Sequence, residues 1–327
     1  MNSVVTASLS SPPTSNLKPY RLAVIVPCYN EALTIAQVVQ GFQAALPSAE
    51  IYVYDNRSSD GTGQVAREAG AEVRYEGRPG KGAVVRRMFA DIEADIYVLV
   101  DGDNTYEAEA APRLIQRLLQ ERLDMVVGAR RAPKKDREAY RLGHRSGNLF
   151  LTTVVKFLFN AQLDDMLSGY RIFSRRFVKS FPALSQGFEI ETELTVHTLE
   201  LNIPFAEEPI LYGARPPGSE SKLQTFRDGW RVLGTAVLLF KEIRPFLFFS
   251  FLFIGFVLAA LVLCFPLVKT YLETGLVPRF PTLILAVSLM LVAFTSLTCG
   301  LILDSVARGR RELKRMAYLA YPSAPKV

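Results

Sequence analysis

The chain has 327 residues, 49% of them hydrophobic, a formal net charge of +6 and a calculated pI of about 9.2. That length holds one large domain, or a domain with an appendage, and the basic balance points to phosphate-rich partners or an anionic membrane surface. Nucleic acid is set aside because no recognition motif and no basic stripe interleaved with stacking aromatics is present. The three cysteines, Cys28, Cys264 and Cys299, are too scattered for a disulfide framework and read as reduced thiols, and His144 and His197 lack the spacing of a zinc site.

Residues 1–19 are rich in Ser, Thr and Pro, without the basic start and apolar core of a secretory signal, so a mobile tail is expected there. Residues 22–27 (LAVIVP) read as a buried strand, and residues 31–46 carry apolar positions at helical spacing (Ile35, Val38, Val39, Phe42). A strand over 51–54, a helix over 63–69, a strand over 72–75 and a helix over 83–92 follow. Residues 95–101 (DIYVLVD) form the central strand, then a helix over 113–121 and a strand over 124–128. Strands alternating with helices imply a mostly parallel α/β sheet covered on both faces.

Three polar turns follow strands in this half: residues 27–31 (PCYNE), 55–62 (DNRSSDGT) and 101–103 (DGD). In a parallel sheet these converge on the carboxyl edge, where such folds bind ligands. Asp101 and Asp103 at the end of a buried strand are costly unless paired, and a hard divalent cation such as Mg²⁺ or Mn²⁺, shared with substrate phosphates, is an economical partner. Asp-Gly is also a common turn dipeptide. Ser59 or Asp60 can cap the next helix while Asp55 stays free for ribose or base hydrogen bonds. Gly80-Lys81-Gly82, ahead of a helix, brings a cation and flexible backbone to the same edge, which suits a diphosphate.

Residues 24–31, 55–62 and 101–103, in that order, resemble the signature of inverting glycosyltransferases of family 2, with the closest similarity to dolichyl- and polyprenyl-phosphate hexose synthases. The resemblance covers roughly residues 20–241. It implies a GT-A fold, a Rossmann-like nucleotide-sugar domain, with donor contacts from Pro27, Tyr29, Glu31 and Asp55 and a metal held by Asp101 and Asp103 around Gly102. Two positions depart from the pattern. Asn56 stands where many members have a second Asp, and Thr105 replaces a Gln that helps bind metal in dolichyl-phosphate mannose synthases.

Arg130, Arg131, Arg141, Arg145 and Arg171 gather after the last expected parallel strand. They suit either a solvated basic face or a phosphate clamp, for which guanidinium forks are well shaped. By similarity to the polyprenyl-phosphate synthases, Arg130, Arg141 and Arg145 are expected at the acceptor phosphate. Residues 165–171 (DMLSGYR), with Ser168 and Gly169, resemble the loop under the donor sugar. Glu191 and Glu193 open an acidic helix, and their expected role is positioning and electrostatics. A phosphate monoester with a second pKa of about 6 needs no general base. The loop over 212–222, bearing Arg215 and Lys222, resembles one in which an Arg closes over the pyrophosphate.

Residues 224–245 read as an in-plane interfacial helix, with a core helix as the alternative. Residues 246–268 and 282–303 are uncharged and long enough to span a bilayer as a hairpin. The basic run 308–315 places the tail (304–327), and with it the catalytic domain (20–223) and both termini, in the cytoplasm, with lipid headgroups as its expected partner. The expectation is therefore an integral protein of the cytoplasmic or an equivalent membrane. It would be a metal-dependent transferase moving a hexose from a GDP- or UDP-sugar to a polyprenyl phosphate. Homo-oligomers through the hairpin are compatible with this. A processive polysaccharide synthase, a transferase to another lipid and a non-catalytic nucleotide-sugar-binding anchor are the alternatives.

Overall fold

The computed structural model describes residues 20–131, 165–183, 190–213 and 237–323. Among them, seven strands form one sheet: β1 (Leu22–Cys28), β2 (Ala49–Asp55), β3 (Glu72–Tyr75), β4 (Ile96–Leu99), β5 (Met125–Arg131), β6 (Arg171–Ser174) and β7 (Phe205–Leu211). Their order is β3-β2-β1-β4-β6-β5-β7. The pairs β1–β2, β1–β4, β2–β3 and β5–β7 are parallel, while β6 runs antiparallel to both β4 and β5. The helices are α1 (Ile35–Ala45), α2 (Thr62–Glu68), α3 (Lys81–Asp91), α4 (Ala111–Gln120), α5 (Arg175–Ser180) and α6 (Ile190–Glu200).

Side-chain alternation along the buried strands divides the core into two layers. Leu22, Val24 and Val26 of β1 pack on the side of Ile35, Val39 and Phe42 of α1, whereas Ala23 and Ile25 pack on the side of Val85, Met88 and Phe89 of α3. In β4, Ile96 and Val98 face the first layer and Tyr97 and Leu99 the second. A central strand buried on both faces leaves its polar termini as the places where chemistry can sit.

The first five strands and four helices lie close to where the sequence puts them, but β6 and β7 were not expected. β6 is four residues long and opens on a charged residue, and β7 (FAEEPIL) holds two acids and a proline, tolerated because it is an edge strand. α1 begins at Ile35 instead of residue 31, because Asn30 takes a positive φ of 54° and Glu31 C=O accepts from the Thr34 and Ile35 amides in a turn of its own.

Residues 229–313 form a second compact unit. Here α7 (Pro245–Thr274) and α8 (Phe280–Leu319) are long and apolar enough to cross a membrane, with mean hydropathy of 2.9 and 2.2 over their most apolar windows. Small residues at seven-residue spacing on α8, Ala286, Ala293, Gly300 and Ala307, are buried, and a Cβ at Gly300 would come within 2.9 Å of Phe249 Cβ. The close approach of the two helices thus rests on side chains that are nearly absent. The expected interfacial helix lies mostly outside the described residues, although residues 237–243 are helical.

The basic C-terminal run differs from expectation. α8 continues well past residue 303, and from Lys314 onward the chain belongs to the same compact unit as the sheet. Lys314 Nζ pairs with Glu200 Oε2 at 2.8 Å, and Arg315 Nη1 donates to Leu201 C=O at 3.2 Å. Tyr318 is buried, and its hydroxyl donates to Asp124 Oδ2 at 2.5 Å. The fully buried Asp124 also accepts from Ser174 Oγ and Arg176, and the Arg176 guanidinium lies 4.3 Å from the Tyr318 ring centroid. Lys314 and Arg315 are thereby engaged by protein groups, where lipid headgroups had been expected.

Two outcomes follow for stability. Tyr318→Phe leaves a buried carboxylate one donor short, at a cost of about 1–3 kcal/mol, read as a lower thermal midpoint of the purified chain. His197 is buried against the ring edges of Phe177 and Phe181, and neither ring nitrogen has a hydrogen-bond partner among the described residues. Burial first, and the Lys314 ammonium second, push its pKa down to about 3. The unfolded chain takes this proton near pH 6.5 and the folded one does not, so stability falls as pH drops from about 6.5 toward 3. Thermal midpoints measured against pH should fall less steeply below pH 6.5 in His197→Leu than in the unaltered chain.

Candidate active site

The turns after β1 and β2 are stitched together. Asn30 N–H donates to Ser58 Oγ, Glu31 N–H to Thr62 Oγ1 and Ala32 N–H to Asp60 Oδ2, each within 3.0 Å, and Ser59 N–H donates back to Asn30 Oδ1 at 2.8 Å. Asp60 Oδ1 also accepts from the amide and hydroxyl of Thr62, the first residue of α2, whose N-cap position is Gly61 with φ 85°. Asp55 is less free than expected: Oδ1 accepts from Ser58 N–H at 2.8 Å. Tyr29 remains 48% exposed at the lip of this wall.

Asn56 explains its own departure from the family pattern. Its amide nitrogen donates to Glu76 and Arg78 C=O at 2.9 and 2.7 Å, and its oxygen accepts from Gly80 N–H at 2.9 Å. An aspartate could make only the last of these bonds. The loop so held delivers Lys81 to the start of α3, and the expected free cation for a diphosphate is found between two acids. Lys81 Nζ lies 2.5 Å from Asp101 Oδ1 and 2.5 Å from Glu191 Oε1. Burial alone would lower the ammonium's pKa, but the two carboxylates outweigh it and hold the pKa well above the ordinary lysine value.

Asp101 and Asp103 flank the turn after β4. Asp103 is buried, and its Oδ1 accepts from Thr105 Oγ1 at 2.6 Å and Thr105 N–H at 3.2 Å. Thr105 therefore orients this carboxylate. Gly102 and Gly169 are close-approach positions: a Cβ at Gly102 would meet Cys28 Sγ at 2.7 Å, and one at Gly169 would overlap the Asp101 carboxylate. The Gly169 amide donates to Tyr106 Oη at 3.0 Å, and burial pushes that phenol's pKa up. A cavity of about 260 Å³ opens beside this turn, with Gln37, Asp101, Asn104 and Tyr106 on its wall.

Other expected site residues have different employment. Ser168 is fully buried and donates to Gly128 C=O at 2.6 Å, so its side chain braces β5 and does not face a sugar. Arg171 is also fully buried, bonded to the carbonyls of Met166, Ser168 and Glu191 and to Thr195 Oγ1, which removes it from any phosphate clamp. Arg130 forks onto Asp165 with two bonds of 2.7 Å, 5.5 Å from the Tyr212 ring centroid, so it could meet an acceptor phosphate only by sharing or leaving that partner. Glu193 sits with Glu191 in the first turn of α6. Arg141, Arg145, Arg215 and Lys222 lie outside the described residues.

The Asp101–Lys81–Glu191 bridge joins residues 20 and 110 positions apart, and no local pattern announces it. The Arg130–Asp165 fork has a weak signal, since Asp165 opens the motif that carries Gly169.

A family model described as "Glycosyl transferase family 2" matches residues 23–181. The glycosyltransferase AglJ of Haloferax volcanii is 37% identical over 212 residues, covering 64% of this chain and 69% of that protein. The chain belongs to glycosyltransferase family 2. Within the family it is also similar to an undecaprenyl-phosphate mannosyltransferase of Micrococcus luteus, 26% identical over 215 residues, with 62% of this chain and 87% of that one covered. Among solved structures, glucosyl-3-phosphoglycerate synthase from Mycobacterium tuberculosis, crystallised with Mn²⁺, UDP and glucosyl-3-phosphoglycerate, shares the GT-A fold. It has a TM-score of 0.57 and 22% identity over 73% of this chain and 86% of that one.

Asn56→Asp in this family 2 chain should lower the thermal midpoint by the equivalent of about 1–3 kcal/mol, since two carbonyls would face a carboxylate. It should also reduce sugar transfer by loosening the loop that carries Lys81. A melting curve beside a transfer assay checks both.

Proposed function

We propose that this chain is an inverting hexosyltransferase that moves a sugar from a nucleoside-diphosphate donor to a polyprenyl phosphate at the cytoplasmic face of a membrane. The observation that carries the reading is the pair Asp101 and Asp103 at the end of β4, against the stitched turns after β1 and β2, in a family 2 chain with two helices apolar enough to span a bilayer. The similarity to an undecaprenyl-phosphate mannosyltransferase favours a polyprenyl-phosphate acceptor.

The donor set fits a hard divalent cation. No three His, Cys, Asp or Glu side chains cluster among the described residues, but Mg²⁺ and Mn²⁺ sites of this kind need only one or two carboxylates, with substrate phosphates and water completing the shell. Thr105 already orients the Asp103 carboxylate, and Gly169 leaves room that a side chain would fill at Asp101. When bound, Mg²⁺ or Mn²⁺ would neutralise charge building on the leaving diphosphate.

The chain's own residues do the rest. Pro27, Tyr29, Glu31 and Asp55 line the wall for the base and ribose, and the backbone at Gly169 permits close approach of the sugar. The acceptor phosphate is assigned to Arg141 and Arg145, with Arg130 on β5 joining them by sharing or leaving Asp165, and the diphosphate to Arg215 and Lys222. The acceptor phosphate is dianionic near neutral pH and attacks the anomeric carbon directly, so Glu191 and Glu193 serve as positioning groups. Catalysis is then mainly alignment and charge neutralisation. The basic residues at the end of α8 support a cytoplasmic position for the catalytic domain and both termini. The exposed apolar faces of α7 and α8 meet lipid, or a second copy of the chain.

Incubating the full chain with polyprenyl phosphate and GDP-mannose, UDP-glucose or UDP-N-acetylhexosamine, with Mg²⁺ or Mn²⁺, should give a lipid-linked monosaccharide from one donor. Asp103→Ala should lower turnover by about a thousandfold or more while the chain still melts cooperatively, a loss on the order of 4 kcal/mol in transition-state stabilisation. Arg141→Ala should chiefly raise KM for the lipid. Full activity of Asp103→Ala with metal chelated would refute the reading.

A further inference from the structure

The Lys81 ammonium occupies the ground that a cation at Asp101 must enter. It touches Asp101 Oδ1 and Glu191 Oε1 at 2.5 Å each, from a side chain only 9% exposed, and the Glu191 side chain is 7% exposed. The Asp101 side chain, at 30%, is the open end of the bridge. The root of the lysine is fixed, because Asn56 pins Gly80, whose φ of 109° suits a residue without Cβ. Its four-carbon stem carries the charge well beyond that root to the exposed Asp101 end of the bridge, and an ammonium is a compact charge that pairs as readily with phosphate as with carboxylate.

We propose that Lys81 is an exchangeable counter-ion that couples metal binding to donor binding. Without nucleotide, the ammonium covers Asp101 and weakens its hold on a divalent cation. When a nucleoside diphosphate arrives, its phosphates take over the bond that Asp101 supplied, Glu191 keeps its own bond to the ammonium, and Asp101 is released to the metal. A buried ammonium stripped of a partner is unfavourable, so Asp101 is surrendered only when another anion replaces it. Metal and nucleotide thereby raise each other's affinity by the same factor. Lys81 is in this account a positioning residue. The inference rests on the reading of Asp101 as a metal ligand.

The test is Mn²⁺ binding to the purified full-length chain in detergent, followed by the electron paramagnetic resonance signal of free Mn²⁺, alone and with UDP or GDP. The unaltered chain should bind Mn²⁺ weakly alone and at least tenfold more tightly with one of the nucleotides. Lys81→Met exposes two facing carboxylates and endangers folding, so the decisive variant is Lys81→Met combined with Glu191→Gln. It removes one cation and one anion and leaves the local formal charge unchanged. In this double variant the nucleotide-free Mn²⁺ affinity should rise about tenfold and the enhancement by nucleotide should shrink. Lys81→Arg, which keeps the cation, should retain weak nucleotide-free binding. If the double variant binds Mn²⁺ as the unaltered chain does and keeps the full nucleotide enhancement, the exchange is overturned while the metal site stands. If neither protein binds Mn²⁺ with or without nucleotide, both readings are overturned.

Discussion

Charge compensation at the end of a buried strand is the constraint on which this molecule is built. β4 is covered on both faces, so Asp101 and Asp103, just beyond it, lie where isolated carboxylates are expensive. The surroundings are arranged around that cost. Lys81 is brought from α3 and Glu191 from α6, Thr105 fastens Asp103, and Gly102 and Gly169 let backbone and carboxylate come close without a side chain between them. The same arrangement suits the proposed phosphate chemistry, because acids held in place by an ammonium are already arranged around a positive charge.

A second clasp lies at the other end of α6. Glu200 and Leu201 are held by Lys314 and Arg315, and Tyr318 enters the layer that contains Leu194 and Ile203 to reach Asp124. The helix that presents Glu191 to Lys81 is therefore gripped at its far end by the last turns of α8, the helix whose earlier part is apolar enough for a bilayer. The Tyr318–Asp124–Arg176 group is built like a core feature, with a buried carboxylate, three donor side chains and a cation over a ring.

Much of this was legible in the residues. Short apolar runs bounded by polar residues, with helical spacing between them, located β1 to β5 and α1 to α4, and the strand-end turns pointed to one edge of the sheet. What could not be read was long-range. β6 is too short and too polar at its start to announce itself, and its antiparallel insertion between β4 and β5 depends on pairing that no window contains. Arg171 looked like part of a basic cluster because sequence shows charge and not burial, yet its guanidinium satisfies four oxygen acceptors in the core. Lys314 and Arg315 looked like headgroup ligands for the same reason. Asn56 and Thr105, which appeared as departures from a family pattern, are accounted for by the bonds they make: one needs an amide donor, the other a hydroxyl.

The central claim is that a divalent cation and a donor diphosphate meet at Asp101 and Asp103. Its most direct test is an anomalous difference map at the manganese edge, from crystals of the full chain grown with Mn²⁺ and the nucleoside diphosphate that binds best. The account predicts one strong peak within coordination distance of both carboxylates and of the diphosphate. A peak away from both acids, with the nucleotide bound and ordered, would contradict it.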